Sequence, residues 1–281
     1  FILTPVIFFV EAAVTENLSK TYGVTVKETA PATEDAYQWL EGEPFFAHGM
    51  GQVDGLTITN SLEAFLFNYQ EGYRVFEVDL TTTSDDVLVL RHENWRYIDI
   101  EEGIPQLTNE PMTYQEFREL KPGGTLTTLS FEDLAMIMDR YPDVRIITDT
   151  KSEDQETVKK QFDQMVETVN EINPALIKRI TPQFYSEDMY RQLKDGYGFE
   201  SYVYTLYLSD LETTGIVEFM KKNRLKILTI PEERASAGFL SDLEANGIYA
   251  GVHTVYTGER YKELKDMGVD AFYTDTFHLE N

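Results

Sequence analysis

The sequence predicts a single (β/α)8 barrel, and three observations carry that prediction. Short apolar, strand-like runs alternate with amphipathic helical stretches from Phe45 to Thr274. The alternation gives eight strand units. Helical crossovers imply parallel pairing with right-handed connections, and eight such units can close on themselves. The chain has 281 residues and 42% hydrophobic content, enough for one large core and close to the ~250 residues typical of such a barrel. No internal repeat, low-complexity tract or linker divides it.

Residues 1–43 read as an N-terminal extension and 44–281 as the barrel domain. The opening, Phe1 to Val10, is apolar but about half of the ~20 residues needed to span a bilayer. It reads either as a strap packed on the domain or as the end of a signal peptide or membrane helix. The second reading makes the domain extracytoplasmic or membrane-tethered, a placement favoured over the cytoplasm. Glu11 to Gly42 is polar, with a short helix expected from Thr33 or Glu34 through Leu40.

The regular pattern starts at Phe45-Phe46-Ala47, which ends at His48 and a glycine-rich turn. Asn60-Ser61-Leu62-Glu63 has the form of a capped helix start with Asn60 as N-cap; Leu62, Phe65, Leu66 and Tyr69 supply the apolar face. Arg74 to Leu80 is the second strand, and Val87 to Leu90, across the turn residues Ser84-Asp85-Asp86, extends that unit to His92. Asn94 to Thr128, with Pro105, Pro111, Pro122 and Gly123-Gly124, is expected to be an irregular functional loop. A helix from Ser130 to Arg140 leads to a strand from Val144 to Asp149.

Steady alternation follows. Strands are expected at Ile177 to Thr181, Tyr202 to Leu206, Lys226 to Ile230, Tyr249 to Thr254 and Ala271 to Thr274. The intervening helices are expected at Glu153 to Ile172, Glu187 to Lys194, Leu211 to Lys222, Ala235 to Ala245 and Glu259 to Met267. Only Phe277 to Asn281 follows the last strand, so the N-terminal extension is expected to cover the place of an eighth helix.

The charge narrows the partners. Lys and Arg number 24 against 49 Asp and Glu, a formal charge of −25. Nucleic acid is excluded, because phosphate backbones are bound by clustered cations that release counterions. Simple docking on anionic lipid is disfavoured for the same reason, whereas a divalent cation is attracted. With no cysteine, any metal must be held by oxygen or imidazole.

In a barrel of this kind the chemistry sits at the C-terminal ends of the strands. The sequence puts His48, Glu77, Asp79, His92, Asp149, Lys151, His253 and Asp275 there. Glu77 and Asp79, two apart on a strand, share a face ~6.5–7 Å apart along the backbone. Their repulsion, of order 3 kcal/mol at ~5 Å in an effective dielectric of ~20, calls for a divalent cation, a lysine such as Lys151, or protonation of one partner. His48 and His92 flank the pair and suit acid–base work near neutral pH. Asp149 reads as a third metal ligand or a helix N-cap, and Lys151 as a phosphate-binding cation or a solvated residue. His253 and Asp275 read as structural or rim residues. Trp95 is a candidate wall for substrate.

Ala47-His48-Gly49, Asn60-Ser61-Leu62-Glu63-Ala64-Phe65, Gly72 to Leu80, Arg91-His92-Glu93 and Gly268 to Asp275 together, in order and spacing, resemble the glycerophosphodiester phosphodiesterase family. That family shares a barrel superfamily with the phosphatidylinositol-specific phospholipases C. The resemblance, over roughly Pro44 to Thr276, implies a hydrolase of phosphodiesters, acting on a small-molecule or lipid-derived substrate with one divalent cation, Ca²⁺ or Mg²⁺. It implies metal ligands at Glu77, Asp79 and Asp149, and acid and base at His48 and His92. Lys151, Trp95 and His253 are expected, from their places in the chain, to contact substrate or phosphate. The nucleophile is a neighbouring substrate hydroxyl or water.

Several positions depart from the family pattern. Gly49 stands where an arginine usually follows the first histidine, Thr59-Asn60-Ser61 replaces Glu-Asn-Thr, and Asp149 replaces a glutamate. Val252-His253-Thr254-Val255-Tyr256 replaces the usual Trp-Thr-Val-Asn and changes the pocket wall. The rival reading is a barrel retained as a non-catalytic binding or regulatory domain of a membrane-associated protein. A glycoside hydrolase, which needs two carboxyls across a sugar cleft rather than a histidine pair, is the third.

Overall fold

The computed structural model describes residues 36–42, 45–92, 111–152, 154–207 and 213–275. Within them the sheet closes. Its parallel strands are β1 (Phe45–Ala47), β2 (Val75–Thr82), β4 (Arg145–Asp149), β5 (Ile180–Phe184), β6 (Val203–Thr205), β7 (Ile227–Pro231), β8 (Tyr249–His253) and β9 (Ala271–Thr274). Each pairs with the next, and β1 pairs with both β2 and β9. The short β3 (Leu88–Leu90) runs antiparallel on β2 outside the ring, as the extension of the second unit should. The helices are α1 (Leu62–Gln70), α2 (Tyr114–Glu119), α3 (Phe131–Arg140), α4 (Gln155–Ile172), α5 (Glu187–Lys194), α6 (Thr213–Asn223), α7 (Ala237–Ala245) and α8 (Gly258–Asp266). The sequence and the structure thus agree on the (β/α)8 barrel.

Strand alternation sorts the side chains into two cores. Phe76, Val78, Ile146, Phe184, Leu228 and Phe272 point outward and pack under the helices in the larger cluster. Phe46, Val75, Ile147, Val203, Ile227 and Ala271 point into the lumen and form the smaller one.

Residues 36–42 do not lie beside the barrel in place of a helix. Tyr37 and Leu40 join the lumen cluster, with Trp39 packed against it. The Tyr37 hydroxyl donates to the Tyr202 carbonyl at 3.2 Å and accepts from the Tyr202 amide at 3.1 Å. These contacts lie at strand beginnings, so the segment plugs the N-terminal mouth, because an open lumen would leave Phe46 and Val75 wet. Trp39 lies 5.8 Å from Phe46, and the Arg145 guanidinium stands over its ring at 5.0 Å. Trp39→Ala is expected to cost about 2–4 kcal/mol, through lost packing and an unstacked arginine, read as a lower urea midpoint.

Three local expectations change. The cap of α1 is Ser61, whose hydroxyl accepts from the Ala64 amide, and Glu63 turns away to bind Thr127 instead of closing a capping box. The stretch expected to be irregular holds α2, fastened by a capping box of Thr113 and Glu116. The fourth strand unit begins later, because Pro174–Arg179 forms a 3-10 turn and the strand continues through Pro182 to Phe184. Among the described residues, no helix is long and apolar enough to cross a membrane. Phe1 to Val10 lies outside them.

Candidate active site

The pairing register assembles the acidic centre. Val75 faces Arg145 and Asp79 faces Asp149 across β2 and β4, so Glu77, Asp79 and Asp149 rise from adjacent strands into the C-terminal end of the lumen. All three are buried, with Asp79 at 0% exposure. Each can offer one oxygen such that all three oxygens lie within 4.8 Å of one another.

Neighbouring groups fix the carboxylates. The Gly49 amide donates to Glu77 Oε2 at 2.8 Å. Asn60 donates through Nδ2 to Asp79 Oδ2 at 2.8 Å and accepts from the Asp79 amide at 3.0 Å. That pair of hydrogen bonds explains why Asn60, buried and held at φ +49°, is not the helix cap. Its signal in the sequence is a second capping residue, Ser61, directly behind it. Gly49 sits at φ +51°, and a Cβ there would lie 2.6 Å from Ile58 Cα. The loop around Ile58 thus occupies the room that a side chain after His48 would need, which accounts locally for the missing arginine.

Lys151 enters this centre. Its ammonium lies 2.5 Å from Asp149 Oδ2 and 2.8 Å from Asp79 Oδ1. The main chain at Lys151 is left-handed, with φ +52°, and its amide donates to Asp149 Oδ1 at 3.1 Å and to the Tyr185 hydroxyl at 3.2 Å. Of the three remedies for carboxylate repulsion, two are present. Burial, with Asp79 adding to it, pushes the Glu77 carboxyl up to about 8, so it holds a proton at neutral pH. Burial would also raise Asp79, but the Lys151 ammonium, with His92 and His48 beside it, outweighs burial and keeps that group below the ordinary carboxylate range. Asp149 is raised by burial, against the pull of Lys151.

The histidines approach from two sides. His48 follows β1, and its Nδ1 meets Asp275 Oδ1 at 2.7 Å. Burial alone would depress its imidazole, yet the Asp275 bond and the net negative charge of the acidic cluster raise it to about 9. Asp275, read from sequence as a structural or rim residue, is a direct partner of His48. The ring of His92, after β3, lies 6.2 Å from that of His48 at 83°.

His253 ends β8, with its ring 6.2 Å from Tyr273 in the lumen and 6.2 Å from the exposed Tyr207. Burial, reinforced by the His48 and Lys151 cations, pulls it down to about 4, so it is neutral. Its Nε2 is buried without a hydrogen-bond partner among the described residues. Trp95 lies outside those residues.

The sequence profile of the glycerophosphoryl diester phosphodiesterase family matches residues 53–279, well over half of the chain. The chain belongs to that family. It is a phosphoric diester hydrolase of glycerophosphodiester phosphodiesterase type. No curated protein sequence matches it significantly.

Several solved structures share the fold. A phosphodiesterase of Oleispira antarctica, in complex with the product sn-glycerol-3-phosphate, is 17% identical with a TM-score of 0.68, over 86% of this chain and 96% of that one. A glycerophosphodiester phosphodiesterase of Thermotoga maritima is 19% identical with a TM-score of 0.62, over 83% and 94%. One from Parabacteroides distasonis is 20% identical with a TM-score of 0.64, over 83% and 92%. In this glycerophosphodiester phosphodiesterase family member, the acidic trio can hold a metal ion. It is an all-oxygen donor set, and among the described residues Asp79 Oδ1 meets only the Lys151 ammonium, which suits a hard dication.

Proposed function

We propose that the chain cleaves phosphodiesters of the glycerophosphodiester class, with Ca²⁺ or Mg²⁺ held by Glu77, Asp79 and Asp149 and with His48 and His92 as acid and base. One observation supports this most: two histidine rings 6.2 Å apart stand over a buried cluster of three carboxylates at the active end of the barrel. The bound cation would neutralise charge on the phosphoryl oxygens.

The protein's own groups do the rest. His48 gives its Nδ1 to Asp275 and is protonated at neutral pH, so its Nε2–H is the proton for the leaving alkoxide. His92 takes the proton of the attacking hydroxyl, a neighbouring substrate hydroxyl or water, as its oxygen bonds to phosphorus and the bond to the leaving alkoxide breaks. Lys151 supplies a positive charge for the phosphate where the usual arginine is missing. Neutral His253, whose Nε2 has no hydrogen-bond partner among the described residues, faces the substrate's alcohol group beside Tyr207 and Tyr273. A lipid-derived diester fits the same chemistry.

The test is hydrolysis of glycerophosphodiesters and bis-p-nitrophenyl phosphate with and without chelator. EDTA is expected to abolish turnover, Ca²⁺ or Mg²⁺ to restore it, and His92→Ala to lower it by about 10²–10⁴-fold. Turnover that survives the chelator would remove the cation from the reaction. No hydrolysis of either substrate with cation present would favour the non-catalytic barrel.

A further inference from the structure

We infer that Lys151 is a displaceable internal counter-ion: its ammonium sits in the cation's place while the cation is absent, leaves when it binds, and so sets the affinity of the site. The inference rests on the reading that Glu77, Asp79 and Asp149 hold a divalent cation.

The hydrogen bonds around the carboxylates make the argument. One oxygen of each group is committed to the scaffold. Glu77 Oε2 belongs to the Gly49 amide, Asp79 Oδ2 to Asn60, and Asp149 Oδ1 to the Lys151 amide. The oxygens left over on the two aspartates, Asp79 Oδ1 and Asp149 Oδ2, are the two that the Lys151 ammonium holds, at 2.8 Å and 2.5 Å. A cation using those oxygens competes with the ammonium for the same two atoms and repels it.

The lysine is built to leave. Asp79 and Asp149 side chains are 0% and 9% exposed, while the Lys151 side chain is 37% exposed. The ammonium therefore reaches the buried carboxylates from the solvent side. Its main chain is anchored separately by the Asp149 and Tyr185 bonds, so the side chain can swing without moving the strand end. Ligand binding to a preoccupied site is weakened by the work of vacating it. A chain of charge −25 draws dications from solution, and such a competitor keeps a dense acidic site from binding them indiscriminately.

The experiment is a calorimetric titration of CaCl₂ and of MgCl₂ into the full chain, wild type and Lys151→Met, with Lys151→Gln as a second neutral form. Wild-type binding and an affinity at least about tenfold higher in the neutral variants are expected, within the range of couplings between sites. Without cation the variants should melt lower than wild type, and with cation they should recover more. A readout on the unmodified protein is acylation of Lys151 followed by mass spectrometry. The amine is expected to be slow to react in EDTA and several-fold faster under saturating Ca²⁺. Wild-type binding with equal or weaker affinity in both variants overturns the counter-ion and leaves the cation site standing. Acylation indifferent to cation overturns the displacement. No heat of binding in any form overturns both this inference and the cation reading on which it rests.

Discussion

Asp275→Asn leaves the barrel folded and lowers turnover by about 10²–10⁴-fold, close to the loss in His48→Ala, because both remove one acid–base unit. Asp275 meets His48 Nδ1 at 2.7 Å. An asparagine there can present its amide nitrogen to Nδ1, which stabilises the tautomer with no proton on Nδ1 and removes the charge that favours the imidazolium. The Asp275 bond is the largest influence raising His48, with burial opposing it. Its loss moves the alkaline limb of the pH–rate profile to lower pH. A purely structural role would lower the amount of folded protein without moving that limb. The double variant should be no slower than His48→Ala alone, since residues acting as a unit do not add. Asp275→Asn turnover within threefold of wild type, with an unmoved profile, would show that His48 does not depend on it.

The barrel was readable because its signals are local. Alternating apolar runs recur in eight units, with capping residues and glycine stops marking many of the helices between them, and the Glu77/Asp79 face follows from the two-residue period of a strand. What the sequence could not rank were contacts made by closure. His48 and Asp275 become neighbours only because β1 pairs with β9, placing Ala47 against Thr274. Asn60 looks locally like a helix cap, but the demand of buried Asp79 for a partner outweighs a cap that Ser61 can replace. Lys151 was one of three ways to relieve the carboxylates. Its selection depends on a left-handed turn at Lys151 that no propensity announces, since a non-glycine residue rarely adopts it. The run of β5 past Thr181 was hidden for a local reason, because Pro182 reads as a strand breaker. The strand keeps it between Thr181 and Gln183, both buried.

Glu77→Gln stabilises the cation-free protein while destroying its cation site, and the gain grows with pH. Burial first, then Asp79, raises the Glu77 carboxyl from an ordinary 4.5 to about 8. Below pH 4.5 both folded and unfolded chains hold this proton. Between 4.5 and 8 the folded chain keeps a proton that the unfolded chain has lost, so stability falls as pH rises through that window and levels off above it. Across the window the loss is on the order of 3–5 kcal/mol. Glutamine never ionises and can still accept from the Gly49 amide, so the variant lacks this slope. Urea denaturation in EDTA at pH 5, 6.5 and 8 reads it directly: the wild-type midpoint should drop and the Glu77→Gln midpoint should drop much less. Parallel slopes would mean that Glu77 is ionised in the folded, cation-free protein. Saturating Ca²⁺ should lift the wild type most at pH 8, where the carboxylate is available without releasing a proton. The same burial that makes Glu77 costly without a cation excludes water from a bound one, so a stable apo barrel and an ionised, cation-ready Glu77 are opposing demands on one side chain.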